Sequence, residues 1–136
     1  MHLDLQVLPP WLDEETSALV RDKAELLAQR HPDVLAIILY GSVARHEERS
    51  LDEPNPSDVD LLVVLNGDRD AVRAQMLALV HTAGLAEDRH LGAPREVKVL
   101  LSSRTSQEWD PDFIANVKRD GRILYRRGEL PAPFAT

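Results

Sequence analysis

Two apolar runs lying close together constrain this chain more than any other feature. Val34 to Tyr40 is unbroken and stops at Gly41-Ser42, and Asp58 to Leu65 opens on acids and closes at Asn66-Gly67. Apolar runs of this length, bounded by turn residues, read as buried strands. Both therefore belong inside a sheet that is covered by other elements. At 136 residues the chain is long enough to cover such a sheet without disulfides.

The rest of the sequence supplies the covering. From Leu12 to about Arg30 the apolar residues Leu12, Leu19, Val20, Leu26 and Leu27 recur at helical spacing, with acids first and Arg30 last. That charge order suits a helix dipole. His31-Pro32-Asp33 breaks the pattern before the first strand. Ser42 can cap a short helix to about Glu48, and Arg49 to Ser57 reads as a loop. A second helix is expected over Asp68 to about Ala83, carried by Val72, Met76, Leu79 and Val80. Glu87 to Pro94 then reads as a polar connector and Glu96 to Leu101 as a third strand. A helix over Ser106 to Lys118, an extended piece over Arg122 to Tyr125 and a tail from Arg126 to Thr136 complete the expectation. The order α-β-α-β-α-β-α describes one α/β domain spanning the chain, with a small sheet and a core over about residues 12–125.

Composition narrows the function classes. Cys is absent, which excludes a disulfide scaffold, a thiolate metal site and a cysteine nucleophile, and it fits a cytoplasmic protein. There are 16 Lys and Arg against 23 Asp and Glu, a net charge of −7, which disfavours non-specific binding to nucleic acid. No apolar run has the length of a membrane span, and the first residues lack the pattern of a signal peptide. The glycines at 41, 67, 84, 92, 121 and 128 form no Gly-x-Gly pair, which removes the dinucleotide fingerprint. Neither a P-loop lysine nor a Gly-x-Ser-x-Gly elbow occurs. His46-Glu47 begins like a zinc-protease helix, but Ser50 stands where the second histidine belongs.

What survives is Leu39-Tyr40-Gly41-Ser42-Val43-Ala44-Arg45 followed by Ser57-Asp58-Val59-Asp60. A strand that delivers a glycine, a hydroxyl and then a helix start offers free backbone N–H groups to phosphate oxygens. Asp58 and Asp60, two apart on a strand, point to one face, about 6.7 Å apart along the chain. Carboxylates so close repel unless a cation or proton lies between them. Mg²⁺ takes one or two carboxylates together with the substrate's own phosphates. Alone, Pro56-Ser57-Asp58 would be a polar turn into a strand; beside Gly41-Ser42 it describes a Mg²⁺-nucleotide site.

These residues resemble the nucleotidyltransferase superfamily that includes DNA polymerase beta and kanamycin nucleotidyltransferase, and most closely its stand-alone minimal nucleotidyltransferase branch. The family reads Gly-Ser, then a short helix often containing Ala-Arg-Gly, then Ser-Asp-x-Asp opening an apolar strand. Gly41, Ser42, Ala44, Arg45, Ser57, Asp58 and Asp60 match in place, and Gly121-Arg122-Ile123-Leu124-Tyr125 resembles the Gly-x-x-Leu-Tyr segment that ends many such domains. The resemblance covers roughly residues 34–125. It implies a small mixed sheet backed by helices, and transfer of a nucleoside monophosphate from a Mg²⁺ (or Mn²⁺) nucleoside triphosphate, ATP foremost, to a hydroxyl of a protein or small molecule. It further implies that Gly41, Ser42, Arg45 and Ser57 bind nucleotide, Arg45 either neutralising phosphate or pairing with a neighbouring acid, and that Asp58 and Asp60 hold the metal. Minimal members often serve as antitoxins beside a helical toxin of the HEPN type, which some of them adenylylate.

Three departures stand out. His46 replaces the usual glycine, and the loop before Ser57 is longer than in compact members. The family's third acid is absent from the next strand, Arg95-Glu96-Val97-Lys98-Val99-Leu100. Glu96 and Lys98 share a face there. Glu96 would complete a catalytic set with Asp58 and Asp60. Lys98 in that position would leave a nucleotide-binding or partner-binding module without catalysis.

Overall fold

The computed structural model describes residues 3–104, 110–130 and Phe134. Its elements are α1 (Glu14–Arg30), β1 (Val34–Tyr40), α2 (Ser42–Arg45), β2 (Val59–Leu65), α3 (Arg69–Arg89), β3 (Val97–Ser103), α4 (Pro111–Asp120) and β4 (Arg122–Arg126), preceded by a 3-10 turn at Leu5–Val7. The expected α/β class with a small mixed sheet is what forms. The strands lie in the order β3-β2-β1-β4. β1 runs antiparallel to both β2 and β4, while β2 and β3 are parallel and joined through α3.

Strand periodicity separates two apolar layers. Ile37, Leu39, Leu61, Val63 and Leu65 face α1 and α3 and build the larger core with Leu19, Val20, Leu26, Leu27 and Leu79. Ala36, Ile38, Leu62 and Val64 face the other way and pack with Val117 of α4 and Phe134. The two central strands are thus buried on both faces, which explains their uninterrupted apolar runs. Leu19, Leu26 and Leu27, the stripe expected to cover the sheet, are buried.

Local chemistry sets the helix bounds. Asp13, Asp68 and Asp110 cap α1, α3 and α4 by accepting from the backbone N–H of Thr16, Ala71 and Asp112. α1 therefore starts after Leu12, and α4 starts at Pro111, whose missing N–H costs nothing at a helix's first position. The expected α4 start at Ser106 lies outside the described residues. α3 continues through Gly84 to Arg89 instead of ending near Ala83, so Glu87 to Arg89, the start of the expected connector, is helical. Ala86 is buried and Glu87 meets the ammonium of Lys23 at 2.5 Å, contacts that outweigh one glycine in the helix interior. Met76 and Val80, read as part of the apolar stripe of α3, are exposed; Val72 and Leu79 carry its buried face. β4 runs through Arg126, and Phe134 is buried, so part of the expected tail packs against the core. No helix among the described residues is long and apolar enough to cross a membrane.

Candidate active site

The site begins where β1 turns. Gly41 has φ +86°, and a Cβ there would overlap Oδ2 of Asp60. The carboxylate of β2 is therefore pressed against the glycine backbone, an approach that only glycine permits. Tyr40 and Asp60 are direct partners across the β1–β2 pair. Ser42 opens α2, whose first-turn amides have no acceptor within the helix.

α2 ends after one turn because His46 takes the left-handed conformation, φ 60°. That backbone favours glycine and costs a β-carbon-bearing residue about 1 kcal/mol. His46 recovers a similar amount by stacking on Trp11, ring centroids 4.1 Å apart and 10° between planes. Trp11 in turn donates from Nε1 to the carbonyl of Val43 at 2.7 Å, and the Arg122 guanidinium lies 4.9 Å from its ring centroid. The long loop into β2 is tied down as well. The Ser57 hydroxyl accepts from the Arg49 N–H at 2.7 Å, and the Ser57 carbonyl accepts from the buried Arg95 guanidinium at 2.8 Å. Ser57 itself is buried, with its hydroxyl engaged by the loop.

Asp58 and Asp60 flank Val59 at the start of β2. Burial holds the Asp60 carboxyl above its ordinary pKa, as does the Asp58 charge, while Lys98 and Arg45 act in the opposite direction. Tyr40, half-buried beside Asp60, is pushed up to about 12 by burial first and then by the Asp60 charge. Lys98 is the register partner of Asp60 on β3, and its Nζ lies 2.9 Å from Oδ2 of Asp58. The hydrogen bond to Asp58 raises the Lys98 pKa, reinforced by the charges of Asp58, Glu96 and Asp60. Glu96 lies just before β3, where its carbonyl accepts from the Val59 N–H at 2.8 Å. Its side chain is exposed on a cleft of about 720 Å³ that Asp58, Arg49, Pro54 and Pro56 also line. Arg45 bonds to Glu47 at 3.2 Å.

Among the described residues no three acids or histidines converge on one point. Two carboxylates remain, one packed on the glycine turn and one bound by an ammonium. Oxygen donors of this kind suit a hard divalent cation whose other ligands come from a bound phosphate. Three supporting residues escaped the reading of the sequence: Trp11, Lys23 and Arg95. Lys23 alone carried a signal, since it stands four residues after Leu19 and four before Leu27 on the apolar face of α1. Its ammonium donates to Val97 O at 2.8 Å and so holds the start of β3.

A mixed sheet of this order, with a glycine turn abutting a paired-acid strand, defines a nucleotidyltransferase-type fold. The polymerase beta nucleotidyltransferase family matches residues 22–130, and the chain belongs to that family. No curated protein sequence matches it. Among solved structures it is similar to a toxin–antitoxin protein crystallised with AMP-PNP, with 20% identity over 79% of this chain and 73% of that one, at a TM-score of 0.48. It is also similar to a candidate nucleotidyltransferase from Sulfolobus solfataricus, with 17% identity over 85% of this chain and 89% of that one, at a TM-score of 0.49.

Proposed function

We propose that this chain holds a nucleoside triphosphate, ATP foremost, across the Gly41–Ser42 turn and transfers its nucleoside monophosphate to a hydroxyl acceptor. The acceptor oxygen bonds to the α-phosphorus, pyrophosphate leaves, and the hydroxyl proton passes to a base. The observation that carries the reading is the contact between Asp60 and the Gly41 backbone, which brings both halves of the motif to one place. Ser42 and the first amides of α2 would bind the terminal phosphates. Asp58 and Asp60 would hold Mg²⁺ or Mn²⁺, which when bound neutralises charge during in-line displacement. Arg45, whose charge acts on Asp60, would neutralise phosphate. Ser57 would fix the entry of the acid-bearing strand. Glu96, on the same cleft as Asp58, would take the acceptor proton. The net charge of −7 favours a protein or small-molecule acceptor over nucleic acid. From the resemblance to minimal nucleotidyltransferases, the protein acceptor would be a helical toxin of the HEPN type, with this chain as its antitoxin.

The Lys98–Asp58 ion pair favours a second reading. An ammonium in the place of the third acid supplies neither ligand nor base, and the domain would then bind nucleotide or partner without transfer. Incubation with labelled ATP, Mg²⁺ and lysate separates the two. Transfer by the wild type that Glu96→Gln abolishes supports the enzyme. ATP binding without transfer, with transfer appearing in Lys98→Asp, supports the binding module. Failure of the wild type to bind ATP with Mg²⁺ overturns the enzyme and the nucleotide-binding form of the second reading.

A further inference from the structure

Sites of in-line phosphoryl transfer often hold two divalent ions about 3.5–4 Å apart, which clamp the attacking and the leaving oxygen. Two such ions need several carboxylate oxygens free at once. This site offers fewer than its two aspartates suggest. Oδ2 of Asp60 lies against the Gly41 backbone, which commits that carboxylate to the glycine turn. Oδ2 of Asp58 is held by Lys98 Nζ at 2.9 Å, so a positive charge already sits where a cation sharing that oxygen would lie. Asp58, Asp60 and Lys98 carry one net negative charge between them. Among the described residues no third acid or histidine joins the two aspartates.

The sheet places this lysine, and burial does not. Its side chain is 59% exposed, so the contact with Asp58 is not locked, and an exposed ion pair holds only weakly. The backbone beneath it is fixed. β2 and β3 run parallel with Lys98 beside Asp60, so the two side chains leave the same face of the sheet. Next to Lys98, Val97 is buried and its carbonyl accepts from the buried Lys23 ammonium, while the Glu96 carbonyl accepts from the Val59 N–H at 2.8 Å. The ammonium can therefore leave Asp58 Oδ2, but it cannot leave the neighbourhood of the two carboxylates.

We propose that the Lys98 ammonium takes the place of one of the two cations, so that this site loads a single divalent ion, the one that arrives with the nucleotide. The inference rests on the assignment of Asp58 and Asp60 to the metal made above. A second divalent ion would have to displace the ammonium from Asp58 and then share one face of the sheet with it. At a few ångströms that repulsion is strong, since it grows as the separation falls. The charge neutralisation that a second ion would bring is carried here by the chain itself.

Mn²⁺ serves as the probe, counted by equilibrium dialysis with saturating α,β-methylene ATP, whose bridging carbon blocks release of pyrophosphate. The wild type should bind one Mn²⁺ per bound nucleotide up to millimolar Mn²⁺, with the electron paramagnetic resonance spectrum of an isolated ion. Lys98→Asp should bind two and show the spin-coupled spectrum of neighbouring ions. Lys98→Met removes the ammonium and adds no donor. It should also take up a second ion, at a higher Mn²⁺ concentration than Lys98→Asp needs. Both changes fall at an exposed position, and an unaltered circular dichroism spectrum checks that the variants fold. A second ion in the wild type overturns the inference and leaves the proposed function standing. A Lys98→Asp variant that stays at one ion overturns it as well. So does a Lys98→Met variant that stays at one, because a missing donor and not the ammonium would then set the limit. A wild type that binds the nucleotide without Mn²⁺ overturns the metal assignment, and this inference with it.

Discussion

At Gly41 one missing carbon decides how closely two halves of a motif approach. The strand turns there with a positive φ, and the Asp60 carboxylate fills the space a side chain would need. Gly41→Ala therefore meets both backbone strain and a clash with a half-buried acid. It should cost about 2 kcal/mol in urea unfolding and also abolish ATP binding measured by calorimetry. Unchanged binding would detach the turn from the nucleotide. His46 shows the opposite arrangement, a left-handed residue that is not glycine and is held by the Trp11 ring. The departure from the family's glycine is thus a local exchange of backbone strain for stacking.

Between elements, polar bonds set the relation of α1 to α3 and β3. Lys23 is buried, donates to Val97 O and pairs with Glu87. Glu87→Gln keeps an acceptor but removes the countercharge, and should cost about 2 kcal/mol, less than the roughly 3–5 of a fully buried pair because Glu87 is half exposed. Denaturant midpoints of the two proteins check it. At the far end of α1, the Thr82 hydroxyl donates to Ala78 O, so the His31 Nε2–H donates to Thr82, at 2.7 Å. Burial, aided by Arg30, holds the His31 pKa below its ordinary 6.5. The neutral ring is the folded form, so this contribution is present above pH 6.5 and lost as pH falls through the unfolded value towards the folded one. His31→Gln should show a weaker loss of stability than the wild type on going from pH 7.5 to 5.5. Legibility follows the same division. Strands buried on both faces and the Gly-Ser with Asp-x-Asp spacing are local and could be read from the chain. The end of α3 could not, because a distant lysine on α1 holds it; nor could Arg95, whose partner Ser57 is reached only through the fold.

At the scale of the whole molecule, the acid pair links charge, ligand and stability. Asp58, Asp60 and Lys98 together carry one net negative charge, so the ligand-free site is nearly balanced by the ion pair at 2.9 Å. A ligand that binds only the folded state, at a hundred times its dissociation constant, stabilises it by about 2.7 kcal/mol, which for a chain of this size is roughly 10 °C in melting temperature. Mg²⁺-ATP should give the wild type a shift of this order, and Asp58→Asn with Asp60→Asn should remove it without lowering the ligand-free melting temperature. Lys98→Asp separates the terms further. It replaces the balancing ammonium with a third carboxylate, so the ligand-free protein should melt lower, most visibly at low salt, where repulsion is least screened. The same change frees Asp58 and adds an oxygen donor, so the rise on adding Mg²⁺-ATP should exceed that of the wild type. A smaller rise in Lys98→Asp would mean that the ammonium itself holds the nucleotide phosphates, with Lys98 acting as part of the binding site.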